Sequence, residues 1–278
     1  MFLLLIICLK AYGDHTETKE DLGAVLMHHV ADKNEWSILP AVKPIPIHNL
    51  TIGPVTIPFT LHVLMLIICF LTLAISLPLA FKKKGLIPNK LGIAIEPITM
   101  FIREGLVYPS MGEELGRKWL PFFYTLFFFL LTSNLMGLIP IFGTSTGNLS
   151  VTGALAIMIF VGVVGQGMLK NGFFGFFKNM IPSGIPWPIG IILLVIEIPG
   201  LIIRNSVLAI RLFANMIAGH FVILSLLLLI FVIHPLVSIV SVPLALFINL
   251  LEVLVAIIQA IVFTMLSAIF ISMATNHH

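Results

Sequence analysis

Charged side chains are scarce in this sequence: Asp, Glu, Lys and Arg make up 10% of its 278 residues, against 59% hydrophobic. A soluble domain is roughly 45–50% apolar and about a quarter charged, so a water-exposed globular surface is excluded and the chain reads as an integral membrane protein. Cysteine is almost missing too. Cys8 lies in the apolar opening and Cys69 in the first long apolar run, environments too unlike for pairing, so no disulfide framework is expected. The formal net charge of +3 points to no partner, because basic residues in such a chain act by where they fall. No nucleic acid, cofactor or metal is expected. The opening "MFLLLIICL" has no basic flank. It reads either as a signal-like segment with a small-residue site near Ala11-Tyr12-Gly13, or as a disordered or surface-lying terminus.

What the chain has is long apolar runs, at about 61–81, 119–142, 149–169, 186–233 and 236–274. The first three suit the roughly 20 residues that cross a bilayer as helix. The last two are too long: the run at 186–233 would give about 70 Å of helix against a hydrocarbon core of about 30 Å. It must tilt, bend or leave the core, and Ile198-Pro199-Gly200 offers a place to bend. The expected fold is an all-α integral membrane protein of about five membrane helices. The last two form a long tilted antiparallel hairpin over 186–276 within a membrane domain of 58–278, preceded by a polar segment of 1–57.

Lys82, Lys83 and Lys84 follow the first run, Lys170 and Lys178 follow the third, and the turn "IPIFGTSTGNLS" between the second and third carries no charge. Lysines flanking a span mark the inner side. The N-terminal segment is therefore expected outside and the C-terminus in the cytoplasm. Between 93 and 119, Ile95, Ile98, Phe101, Ile102, Leu106 and Leu115 recur at helical spacing among Glu96, Arg103, Glu104, Glu113 and Arg117, which predicts a helix lying on the inner surface. A helix in a solvated loop is the other reading.

From residue 186 to the end only Glu197, Arg204, Arg211 and Glu252 are charged. An ionisable group in lipid is costly, so each should face protein or a watery cavity, for function or as a structural ion pair. His234-Pro235 is the one strong break between the two long runs and is taken as the outer turn of the hairpin. Residues equidistant from it then share a depth. Arg211 precedes Pro235 by 24 positions and Gln259 follows it by 24; His220 precedes by 15 and Glu252 follows by 17. Two polar layers result, Arg/Gln deeper and His/Glu nearer the outside. Glu197, Arg204 and Arg211 are seven apart and share one helix face, with Asn215 about 40° from Arg211, while His220 points about 180° away. On the partner helix Asn249, Glu252 and Gln259 lie in one broad stripe.

Histidine and glutamate can each take up and release a proton, whereas a guanidinium keeps its charge and neither relays a proton nor lets one pass. The pattern is that of two offset proton routes, His220 and Glu252 on the outer side and Glu197 on the inner, separated by the fixed charge of Arg211. Such a device needs a moving partner with a protonatable carboxylate.

In these residues the chain resembles subunit a of the rotary F-type ATP synthase. "LAIRLFANMIAGH" is similar to that family's signature around its essential arginine, "LEVLVAIIQAIVFTMLSAIFISMA" to its last helix and "LTSNLMGLIP" to its third span. The resemblance runs from about residue 60 to the end. It implies that Arg211 faces a ring of c subunits with Gln259 beside it, that His220, Glu252 and Asn134 belong to an outer half-channel, and Glu197 to an inner one. Asn215 and Arg204 match family positions near the arginine. It also implies b-type peripheral stalk subunits and the remaining synthase subunits as partners, beside the lipid bilayer. The implied chain translocates ions and holds no catalytic nucleotide site of its own. Some bacterial members carry the carboxylate and histidine of the outer layer in the reverse order, an exchange that residues at equal depth allow. Gly137 stands where some members have an acid, so a proton-carrying role is absent there.

The start with "MHHVADKNEW" is similar to bacterial members with a long outer segment, which favours a bacterial inner membrane over a mitochondrial one. His28 and His29 read as surface residues rather than a metal pair. Two rival classes fit less well. A secondary transporter commonly has inverted repeats, and no second copy of the Arg211 region is present. A haem carrier needs axial histidines on facing helices, whereas His220 and His234 lie on one run.

Overall fold

The computed structural model describes residues 35–36, 45–46, 50–52, 55–57, 60–81, 90–139, 145–179, 187–232 and 234–275. The apolar opening with Cys8, the pair His28 and His29, and Lys82 to Lys84 lie outside them. In the N-terminal segment two short antiparallel ladders form. Strands β1 (Glu35–Trp36) and β2 (Ile45–Pro46) pair Trp36 with Ile45, and β3 (Leu50–Ile52) and β4 (Val55–Ile57) pair Leu50 with Ile57. From residue 60 onward the described residues are almost all helical. In chain order they form α1 (Leu61–Phe81), α2 (Lys90–Met100), a π turn at Phe101–Val107, α3 (Tyr108–Met111), α4 (Glu113–Gly137), α5 (Leu149–Asn171), α6 (Phe173–Asn179), α7 (Trp187–Val232) and α8 (Ser238–Thr275).

Five of these, α1, α4, α5, α7 and α8, are long and apolar enough to span a membrane. Large apolar side chains stand exposed along them, among them Phe70, Ile157, Val161, Val195 and Leu250, as helices solvated by lipid or by an apolar partner present. The helix α7 continues through Pro199, where a bend was expected as one way of fitting the long run. In an apolar environment every other backbone group must still be satisfied within the helix, so one missing donor does not end it. The hairpin turn falls at His234 and Pro235. Val237 N–H donates to His234 O at 2.9 Å, and Leu236 N–H donates to the His234 ring at 3.2 Å.

The amphipathic stretch departs from its expected bounds. Gly112 adopts φ 78, a left-handed conformation that favours glycine and ends a helix, so the predicted helix over 93–119 is cut there. Glu113, Leu115 and Arg117 belong instead to the start of α4, where Glu113 and Glu114 stabilise the helix N-terminus. Before the cut, Ile102, Leu106, Val107 and Met111 are buried, whereas Phe101 is exposed. The π turn shifts the face: Tyr108 N–H bonds to Arg103 O, five residues back.

The chain forms two compact units. One holds residues up to Leu71 with Leu131–Asn148 and Leu212–Ile257; the other holds Thr72–Leu130, Leu149–Arg211 and Ile258–His278. In the first, Ile223 and Ile230 pack with Leu224, Val242 and Ile248, joining the two arms of the hairpin near its turn. In the second, missing side chains permit close approach. A Cβ at Gly162 would lie 3.4 Å from the Trp119 ring, and one at Gly167 would lie 3.1 Å from Ala274 O, the small-residue packing that serves where lipid removes the hydrophobic drive.

Candidate functional site

His220 and Glu252 meet in the first unit. One lies on α7 before the turn and the other on α8 after it, and His220 Nδ1 is 3.2 Å from Glu252 Oε1. Glu252 is buried at 7% exposure, and its Oε2 is buried with no hydrogen-bond partner among the described residues. Such an atom is costly to keep, since a buried acceptor without a donor forfeits its hydration for nothing, so it marks a place where a proton or a donor belongs.

A residue that spacing did not single out makes room for this carboxylate. A Cβ at Gly219 would run into the Glu252 carboxyl group, 2.6 Å from its Cδ, so any larger residue there must displace it. The only signal in the sequence was a glycine inside a long helix, which is unfavourable for the helix and therefore asks for a reason.

Asn134 is buried near the end of α4, and its Nδ2 donates to Ala256 O at 3.5 Å, one helical turn beyond Glu252. Its Oδ1 has no partner among the described residues. Beside it, Ser133 and Ser145 share a hydrogen bond between hydroxyls, and Thr146 is fully buried. Asn215 and Asn249 are half-buried in this same unit. Gly137 is buried.

The second unit holds the other polar residues of the hairpin. Arg204 Nη2 donates to Glu197 Oε1 at 2.8 Å, an ion pair two turns apart on α7 with both side chains partly exposed. Arg211 is half-buried, and its Nε is buried without a hydrogen-bond partner among the described residues. Gln259 is buried on α8. C-terminal to it, Thr264, Ser267 and Thr275 each donate to the carbonyl four residues back, so their hydroxyls are spent on their own helix. Arg211 and Gln259 thus fall within one unit and His220 and Glu252 within the other, the latter two in contact. Outside the spans, the hydrogen bond that Arg103 donates to Glu104 at 2.7 Å holds its guanidinium more firmly protonated.

A family model described as ATP synthase A chain matches residues 59–272. A protein of Anaeromyxobacter sp. (strain Fw109-5) named ATP synthase subunit a is 36% identical, the match covering 96% of this chain and 74% of the relative. One of Chlorobaculum tepidum named ATP synthase subunit a 2 is 37% identical, covering 96% and 77%. One of Myxococcus xanthus, named ATP synthase subunit a, is 44% identical over 200 residues, covering 70% and 66%.

Proposed function

The chain belongs to the ATP synthase A chain family, the ion-translocating and non-catalytic subunit of the membrane sector, and on that premise we propose that its last hairpin forms two offset half-channels separated by Arg211. A proton from the outer side is accepted at Glu252 and His220 and handed to a carboxylate on a ring of c subunits. The ring turns, and the proton leaves past Glu197 on the inner side. Arg211 pairs with the ionised ring carboxylate and blocks direct leakage, because a guanidinium does not give up its proton. Gln259, Asn215, Asn134, Arg204 and Asn249 line these routes.

The observation that supports this reading best is the His220–Glu252 contact with its buried, unpartnered Glu252 Oε2. A histidine and a carboxylate within 3.2 Å can exchange one proton between them, and a free carboxylate oxygen can take another. The energetics suit rotation. One charge crossing 100 mV is worth about 2.3 kcal/mol, so several crossings must be summed for each nucleotide made.

The wider assignments follow from the same premise. The N-terminal segment of 1–57 lies outside and the C-terminus in the cytoplasm of a bacterial inner membrane, with b-type stalk subunits and the rest of the synthase bound to the membrane domain of 58–278. The nucleotide site belongs to other subunits.

The deciding experiment replaces Arg211. In assembled complexes Arg211→Ala reduces ATP-driven proton pumping by about 100-fold or more, as expected for a preorganised charge at the reacting centre, with the subunit still incorporated. Pumping at the parent rate sinks the mechanism.

A further inference from the structure

We infer that Ser133, Ser145 and Thr146, together with Asn134, hold the file of water along which a proton reaches Glu252. This rests on the reading of Glu252 as the outer proton acceptor and extends it to residues at the connection between α4 and α5.

Two hydrogen bonds and two pairs of chain neighbours lead from Thr146 to within one helical turn of Glu252. Thr146 adjoins Ser145, whose hydroxyl bonds that of Ser133; Ser133 adjoins Asn134, which bonds Ala256 O one turn from Glu252. All four side chains are nearly or fully buried, although they lie near the ends of their helices, where polar groups ordinarily meet water. Three of the acceptors in this one unit, Thr146 Oγ1, Asn134 Oδ1 and Glu252 Oε2, are buried without partners among the described residues. Buried polar atoms are as a rule bonded to protein or to ordered water, and one water serves about three such groups.

The chemistry of the set suits a relay. Either serine hydroxyl can be the donor in the Ser133–Ser145 bond, so the pair can reverse its direction as a proton passes. Each water or hydroxyl gives up one proton as it takes another, and Glu252 alone changes its protonation state, gaining the O–H bond. Contrast the hydroxyls of Thr264, Ser267 and Thr275, which bond their own helix carbonyls and offer no such freedom. A merely structural role would have the same groups fasten the connection to α4, and the two are separable.

In vesicles matched for assembled complex, Thr146→Val keeps the shape but removes the hydroxyl. It slows ATP-driven proton pumping about tenfold, as one lost hydrogen bond on a rate-limiting file would, and it raises the ratio of rates in H2O and D2O. Thr146→Ser stays near the parent in both. Parent-like pumping by Thr146→Val, or an equal loss in Thr146→Ser, overturns the inference. Should Thr146→Val fail to assemble, Thr146→Cys in a chain carrying Cys8→Ser and Cys69→Ala is treated from the outer side with a small, membrane-impermeant thiol reagent. Modification that blocks pumping is expected; an unreactive thiol overturns the inference. The Arg211→Ala result separates the levels: if that variant pumps, the parent reading falls, whereas if it is inactive and Thr146→Val pumps normally, only the water file falls.

Discussion

Glu252 and Glu197 sit on the two arms of one hairpin and end in opposite circumstances. Glu252 is buried against a histidine at 3.2 Å with one oxygen left over, while Glu197 is partly exposed and held by Arg204 at 2.8 Å. A histidine can return its proton, so the first carboxylate keeps a neighbour with which to trade. An arginine cannot, so the second is paired with a permanent countercharge. In the proposed mechanism the outer carboxylate thus has a neighbour that can take its proton, whereas the inner one is paired with a group that cannot.

Replacing each carboxylate by its amide sharpens this contrast. Glu252→Gln has the largest expected effect, a loss of about 100-fold in ATP-driven pumping, since it removes the proposed proton acceptor. Retention of pumping there would erase the distinction between the two sites. An intermediate loss, about tenfold, is expected for Gly219→Ala, whose added methyl displaces the carboxyl group from His220. Alanine favours the helix by roughly 0.5–1 kcal/mol over glycine, so a poorer helix does not account for such a loss. Shortening the acid in the same chain, Gly219→Ala with Glu252→Asp, restores part of the rate if the fault is crowding; no recovery would assign it elsewhere. The smallest effect belongs to Glu197→Gln. Its ion pair is partly solvated and worth little, so pumping falls by no more than about threefold. A collapse as deep as that of Glu252→Gln would make the inner carboxylate an obligatory carrier.

Much of this architecture was legible beforehand because it is written in long apolar runs. The helices α1, α5, α7 and α8 begin and end within a few residues of the runs at 61–81, 149–169, 186–233 and 236–274, and counting from Pro235 put His220 and Glu252 at similar depth. The amphipathic spacing over 93–119 could not reveal Gly112, because a helical period continues on paper across a single residue with positive φ. Gly219 was hidden for another reason: the need for an absent side chain is set by a carboxylate 33 positions later on another helix, and no local pattern encodes it. Ser133 and Ser145 likewise join across two elements. The two-stranded ladders before α1 are too short to impose an alternating pattern.

The π turn between α2 and α3 bears on how this chain can vary. At Phe101–Val107 the backbone bonds span five residues rather than four, so the segment carries slack that an ideal helix lacks. A residue gained or lost there changes the width of one turn and leaves the flanking α-helical stretches facing as before. A one-residue change of length in this turn is thus absorbed before Gly112, where the chain turns into α4.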